Sequence, residues 1–213
     1  MISQICEAIK KNILLAPYAD KVAGLTRVAV SNVHTELEDG TSYKVSEKHF
    51  PVALNVSGVS CFNQNGYQDL CPNSQKKSVI YFEQIGATKI NKAEGQGKNV
   101  KEFVAQVRCV AWFNLKKLGI EYDFLPCNYQ SDLHGRIITP LSIECGTVSV
   151  KPKISILFEI SDPSIFSKYS YDDATIQNML LYPYYYLAID FQISYLIDPT
   201  CHGVISNVAE IIC

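Results

Sequence analysis

The sequence predicts an α+β fold: a mainly antiparallel sheet, an N-terminal helix and short helices packed on one side, and long protruding loops or a hairpin. Three observations carry this. Apolar residues open the chain at helical spacing, two later runs alternate strictly between apolar and polar, and helical and strand-like runs follow one another without a repeating βαβ order. At 213 residues, with no compositional linker, the chain reads as a single domain, 1–213, with loop insertions at about 58–77 and 122–140.

Ile2, Ile5, Cys6, Ile9, Ile13 and Leu14 recur at the spacing of one helical face, with Ser3, Gln4, Glu7, Lys10 and Lys11 opposite, and Pro17 closes the segment. Leu25 to His34 is rich in β-branched residues, a polar turn with Asp39-Gly40 follows, and Tyr43 and Phe50 to Val56 restore strand character, which reads as a hairpin or meander. Gly58 to Lys77 is rich in Ser, Asn, Gln and Gly and reads as a long contact loop. Val79 to Ile90 and Phe103 to Leu115 read as two strands joined by a protruding tip. In the second, Phe103, Ala105, Val107, Cys109, Ala111, Phe113 and Leu115 share one face, and Gln106, Arg108 and Asn114 the other. Tyr122 to Pro140 reads as irregular. Val148 to Ile160 alternates, with Pro152 confining it to an edge or a late start. Asp162-Pro163 starts a short helical piece reaching Lys168, a second follows Asp172 up to Leu181, and Tyr185 to Ile197 forms the last long strand, with Leu187, Ile189, Phe191, Ile193, Tyr195 and Ile197 on one face.

Composition narrows the function. Hydrophobic residues make up 47% and charged residues 19%, against roughly 25% charged in an average domain, so the chain folds. A net charge of −2 argues against gripping phosphate backbones through bulk positive charge. The eight cysteines include no C-x-x-C pair and read mostly as reduced core thiols. The start carries no signal-peptide pattern, and the longest apolar stretch, Met179 to Ile189, is interrupted by Pro183 and is about half the ~20 residues needed to cross a bilayer. A soluble protein of a reducing compartment, with no membrane partner, is expected.

No catalytic fingerprint occurs. Gly95-x-Gly97 lacks a third glycine and lies between strands, H-E-x-x-H, EF-hand and G-x-S-x-G patterns are missing, and His34, His49, His134 and His202 are isolated from one another. Cys201-His202 is an adjacent thiol and imidazole, but neighbours on an extended chain point to opposite sides. Asp172-Asp173 could act as paired carboxylates, and reads more simply as charge at a helix N-terminus. No enzyme, metal or cofactor is expected.

Two biases remain. Lys89, Lys92, Lys98 and Lys101 gather around one acid, Glu94, whereas Asp162, Asp172, Asp173, Asp190 and Asp198 face only Lys168, a polarity suited to head-to-tail contact between copies of the chain. Seven tyrosines lie between Tyr169 and Tyr195. Of these, Tyr184 and Tyr186 join the lysines and Asp172 and Asp173 as candidate interface residues, and Tyr185 and Tyr195 read as core.

The opening helix ending at Pro17, the strand pair and Leu181-Tyr182-Pro183-Tyr184-Tyr185-Tyr186-Leu187-Ala188-Ile189-Asp190-Phe191 with its alternating continuation resemble tail-completion or neck-ring proteins of tailed bacteriophages, especially the crAss-like group of Bacteroidetes phages. The resemblance implies a non-enzymatic virion protein, made in the host cytoplasm, that forms a ring of sixfold or twelvefold symmetry between portal or adaptor and tail. Its lumen would pass genomic DNA without sequence-specific binding. Gly58 to Lys77 and Tyr122 to Pro140 would be additions to the smaller members of that type. The alternative is a soluble bacterial module binding a ligand or protein through the Gly58 to Lys77 loop.

Overall fold

The computed structural model describes residues 1–36, 43–54, 70–92, 100–145, 148–171 and 178–197. Helix α1, Ile2–Leu14, buries Ile2, Ile5, Cys6, Ile9 and Ile13, the stripe its spacing predicts, while Glu7 and Lys10 pair at 2.9 Å beside it. Its last turn tightens, with Leu15 N–H donating to Asn12 O and Ala16 N–H to Ile13 O before Pro17.

The hairpin expected next is present as β1, Lys21–Glu36, and β2, Tyr43–Ala53, paired antiparallel from Thr26↔Ala53 to Glu36↔Tyr43. Strands β3, Ser78–Lys92, and β4, Lys101–Asn114, form a second hairpin, and β8, Tyr184–Ile197, lies antiparallel to β4 along its whole length. The sheet runs β2-β1-β3-β4-β8-β7, with β7 at Lys153–Ile160. Only β1 and β3 are parallel among these neighbours. Pro152 acts as expected: β7 begins one residue later and lies at the edge. Strands β5, Ile143–Cys145, and β6, Val148–Val150, make a separate small hairpin that buries Val150 in the main core.

Alternation divides the sheet into two faces. On the first, Ala105, Val107, Cys109, Ala111 and Phe113 of β4 and Leu187, Ile189, Phe191, Ile193 and Tyr195 of β8 pack beneath α1. Each of the larger side chains contributes about 1.5–3 kcal/mol by burial. Helix α2, Cys127–Ile138, covers the same face through Leu133 and Ile137. It replaces the irregular insertion expected over 122–140. Tyr129, Leu133 and Ile137 form an i, i+4 stripe, narrow because the intervening residues are mostly polar.

The second face buries Tyr81, Val110, Trp112 and Ala188 under a strap leaving β7. Within it, the piece expected after Asp162 is a 3-10 turn, Pro163–Phe166, opened by Asp162, which accepts from Ser164 N–H at 2.7 Å. This turn lies on the face opposite α1, so both faces are covered. The strap is latched to β2: Ser170 N–H donates to His49 O at 2.9 Å and His49 N–H donates to Ser170 Oγ at 3.0 Å. The helix expected from Asp172 to Leu181 lies partly outside the described residues, as do the Asp39-Gly40 turn, most of the Gly58 to Lys77 loop and the 93–99 tip.

The hairpins part company. The parallel register of β1 with β3 stops at Thr26↔Glu83, where Thr26 Oγ1 donates to Phe82 O at 2.8 Å. Beyond it, β1 pairs with β2 alone and β3 with β4 alone among the described residues. Here β3–β4 is flanked by β8, whereas β1–β2 runs on past the last β1–β3 pair with no third strand among the described residues; the tip expected to protrude from β3–β4 lies outside the described residues.

Candidate interaction surfaces

The lysine cluster sits at one end of β3–β4. Lys89 and Lys101 are exposed, and neither has a hydrogen-bond or ion-pair partner among the described residues. Lys92 lies directly across from Lys101 in the register. With exposed Lys89 and Lys101 unpartnered among the described residues, this end favours an external carboxylate. Ile90 beside them is 60% exposed. A bulge between Ile85 and Lys89 shifts the register just before this end, with Gly86 at a φ of +71°, where a Cβ would be strained. Lys98 lies outside the described residues.

The tyrosines named as interface residues are engaged within their own chain. Tyr184 stacks on Trp112 with centroids 5.0 Å apart, and Tyr186 meets Phe166 edge-on at 5.7 Å. Both are half-buried against the second core. Tyr195 is buried and Tyr185 packs against the first core, as expected for core residues.

The acidic segment divides. Asp172, Asp173 and Asp198 lie outside the described residues, and Asp162 caps its turn. Asp190 is buried, accepting from Arg108 Nε at 2.6 Å and Nη2 at 2.9 Å. That fork holds the Arg108 guanidinium pKa above its ordinary value. The register sets Glu83, Arg108 and Asp190 side by side on β3, β4 and β8. Glu83, also buried, accepts from Lys168 Nζ and Tyr169 OH of the strap. Burial and the neighbouring Glu83 carboxylate push the Tyr169 phenol well up.

A cleft of about 340 Å³ opens between the end of α1 and the start of α2, lined by Pro17, Tyr18, Asn128, Tyr129 and Asp132. Tyr18 OH and Arg136 Nε both donate to Asp132 Oδ2, at 2.9 and 2.5 Å, and Arg136 Nη1 donates to Asn12 O at 2.7 Å. Arg136 holds the Asp132 carboxyl below its ordinary range, and burial pushes the Tyr18 phenol up. Ahead of α2, Tyr122 and Phe124 stack at 5.5 Å while 64% and 54% exposed, with exposed Glu121 and Asp123 interleaved.

The described histidine side chains are apart: His49 Nδ1 lies 3.4 Å from Ser170 Oγ on the strap, and His134 Nε2 lies 3.1 Å from Glu159 Oε2. Among the described residues no three His, Cys, Asp or Glu side chains gather as metal ligands, and no helix is long and apolar enough to cross a membrane. Cys6 and Cys109 are fully buried, which pushes their thiols up and away from the reactive thiolate.

Sequence reading missed the Arg108–Asp190 pair, although opposite charges on the same polarity of two alternating strands were its signal. It also missed the cleft, which requires knowing that α2 exists. Comparison with known proteins finds no matching family model and no matching curated relative.

Proposed function

We propose that this chain is a non-enzymatic ring subunit of a phage neck or tail, joining portal or adaptor to tail around a DNA channel. The parting of the two hairpins beyond Thr26 and Glu83 carries the reading. A chain that extends β1–β2 away from its own sheet, with backbone groups lacking a strand neighbour on the inner side among the described residues, offers itself to another chain. Exposed Lys89 and Lys101, without partners among the described residues, and the resemblance of the Tyr182 to Phe191 segment to neck-ring proteins support the same reading. Work of this kind is mechanical and needs surfaces more than a reaction centre.

Negative-stain imaging and native mass spectrometry of purified and particle-derived protein test it. The expected result is a closed symmetric ring, found at the neck of virions. Protein that never closes into a ring, together with particles lacking it at the neck, overturns the reading.

The cleft beside Asp132 favours a second reading, a ligand- or protein-binding module. Its volume suits a small molecule, and its wall combines two tyrosines with a carboxylate. Saturable binding of one small polar compound, abolished by Asp132→Ala, would favour that alternative.

A further inference from the structure

We infer that the exposed Glu121-Tyr122-Asp123-Phe124 patch receives the lysine-bearing end of the β3–β4 hairpin of a second copy of this chain, a contact that rests on the ring reading above. The acids that the sequence offers as partners for the lysines are unsuited or outside the described residues: Asp190 is buried in an ion pair and Asp162 caps a turn. Glu121 and Asp123 are different. Both are exposed and without a hydrogen-bond or ion-pair partner among the described residues. The lysines that precede them are turned elsewhere, Lys117 Nζ donating to Gln75 O at 2.6 Å and Lys116 lying over the Tyr182 ring.

The two surfaces match in kind. One presents exposed Ile90 with Lys101 on its own face of the hairpin and exposed Lys89 on the opposite face next to it. The other presents two carboxylates around a stacked, exposed aromatic pair. The Lys101 stem and Ile90 would cover the rings while the Lys101 ammonium group and that of Lys89, reaching round the strand edge, meet Glu121 and Asp123, and the ring faces add a cation–π attraction.

Geometry makes the contact intermolecular. The lysines stand where β4 begins, and the patch follows the turn where β4 ends, after Ile120 N–H has folded back onto Leu115 O. Fourteen residues of strand separate the two ends, roughly 45 Å at about 3.3 Å per residue. A protomer cannot fold one end onto the other through that sheet. Two different patches meeting across copies make a heterologous contact, the type that closes into rings.

Charge reversal tests the pairing on the full-length chain at low salt, read by sedimentation and by zero-length carbodiimide cross-linking with peptide mapping. Wild-type protein is expected to self-associate and to yield links between Glu121 or Asp123 and Lys89 or Lys101. E121K/D123K and K89E/K101E should each weaken self-association by roughly tenfold or more, and an equimolar mixture of the two should restore assembly with the two variants alternating. E121Q/D123N, which removes charge without reversing it, should give an intermediate loss and serves if a reversed variant misfolds. Variants that assemble like wild type, or a ring whose cross-links never join these two regions, overturn the contact and leave the ring reading standing. Protein that stays monomeric at every concentration and is missing from the particle neck overturns both.

Discussion

The two faces of the sheet are built from alternate residues of the same strands and are held in different ways. The face beneath α1 and α2 is apolar through Val107, Cys109, Phe113, Ile189 and Phe191, and nearly any well-packed apolar cover would hold it. The strapped face buries Glu83 and Asp190 beside Tyr81, Val110 and Trp112, and depends on named partners: Arg108 for Asp190, and Lys168 and Tyr169 for Glu83. Apolar burial is indifferent to identity, whereas a buried carboxylate that loses its partner is worse than none. The helical face therefore supplies cohesion and the strapped face supplies register.

Substitutions should separate the two. Phe113→Ala, on the helical face, should cost about 3–5 kcal/mol in urea unfolding, with little dependence on salt or pH. Arg108→Ala should cost about 3 kcal/mol or more by stranding Asp190. Asp190→Ala should cost less, because the Arg108 side chain it strands is 22% exposed against 4% for Asp190; equal losses would contradict the asymmetry. Tyr169→Phe probes alkaline behaviour. The folded phenol is held above its ordinary value of 10.0, so the unfolded state loses its proton first and stability falls as pH rises past that value. Removing the hydroxyl should flatten that fall by roughly 1.4 kcal/mol per pH unit, visible in chemical unfolding repeated at rising pH. Glu7→Gln, which breaks the pair with Lys10 on the helical side, should change stability by no more than about 0.5 kcal/mol.

The same contrast explains what the sequence made legible. Helix α1 and strands β4 and β8 follow from local spacing, because Ile5, Ile9 and Ile13 or Val107, Cys109 and Ala111 report their face without reference to anything distant. Pro152 marked an edge strand for an equally local reason. Helix α2 stayed hidden because a stripe of Tyr129, Leu133 and Ile137 is too narrow to stand out among polar residues. Arg108 stands out only as polar-face and Asp190 only as part of the acidic segment, because their meeting depends on the register between strands 82 residues apart in sequence. Of the candidate interface residues, the lysine grouping was legible as composition. Tyr184 and Tyr186 were ambiguous, since an aromatic ring fills a core as readily as an interface.

The latch between Ser170 and His49 bears on how the sheet can be extended. Both backbone groups of His49 that face away from β1 are occupied. Two residues on, with the same orientation, Pro51 has no N–H to give. An incoming strand would find this margin already spoken for at one position and mute at the next, so edge-on growth is discouraged at β2. The outer border of β2 is thus guarded at these positions, and a neighbour adding a strand is directed to the inner side of the parted hairpins or to β7.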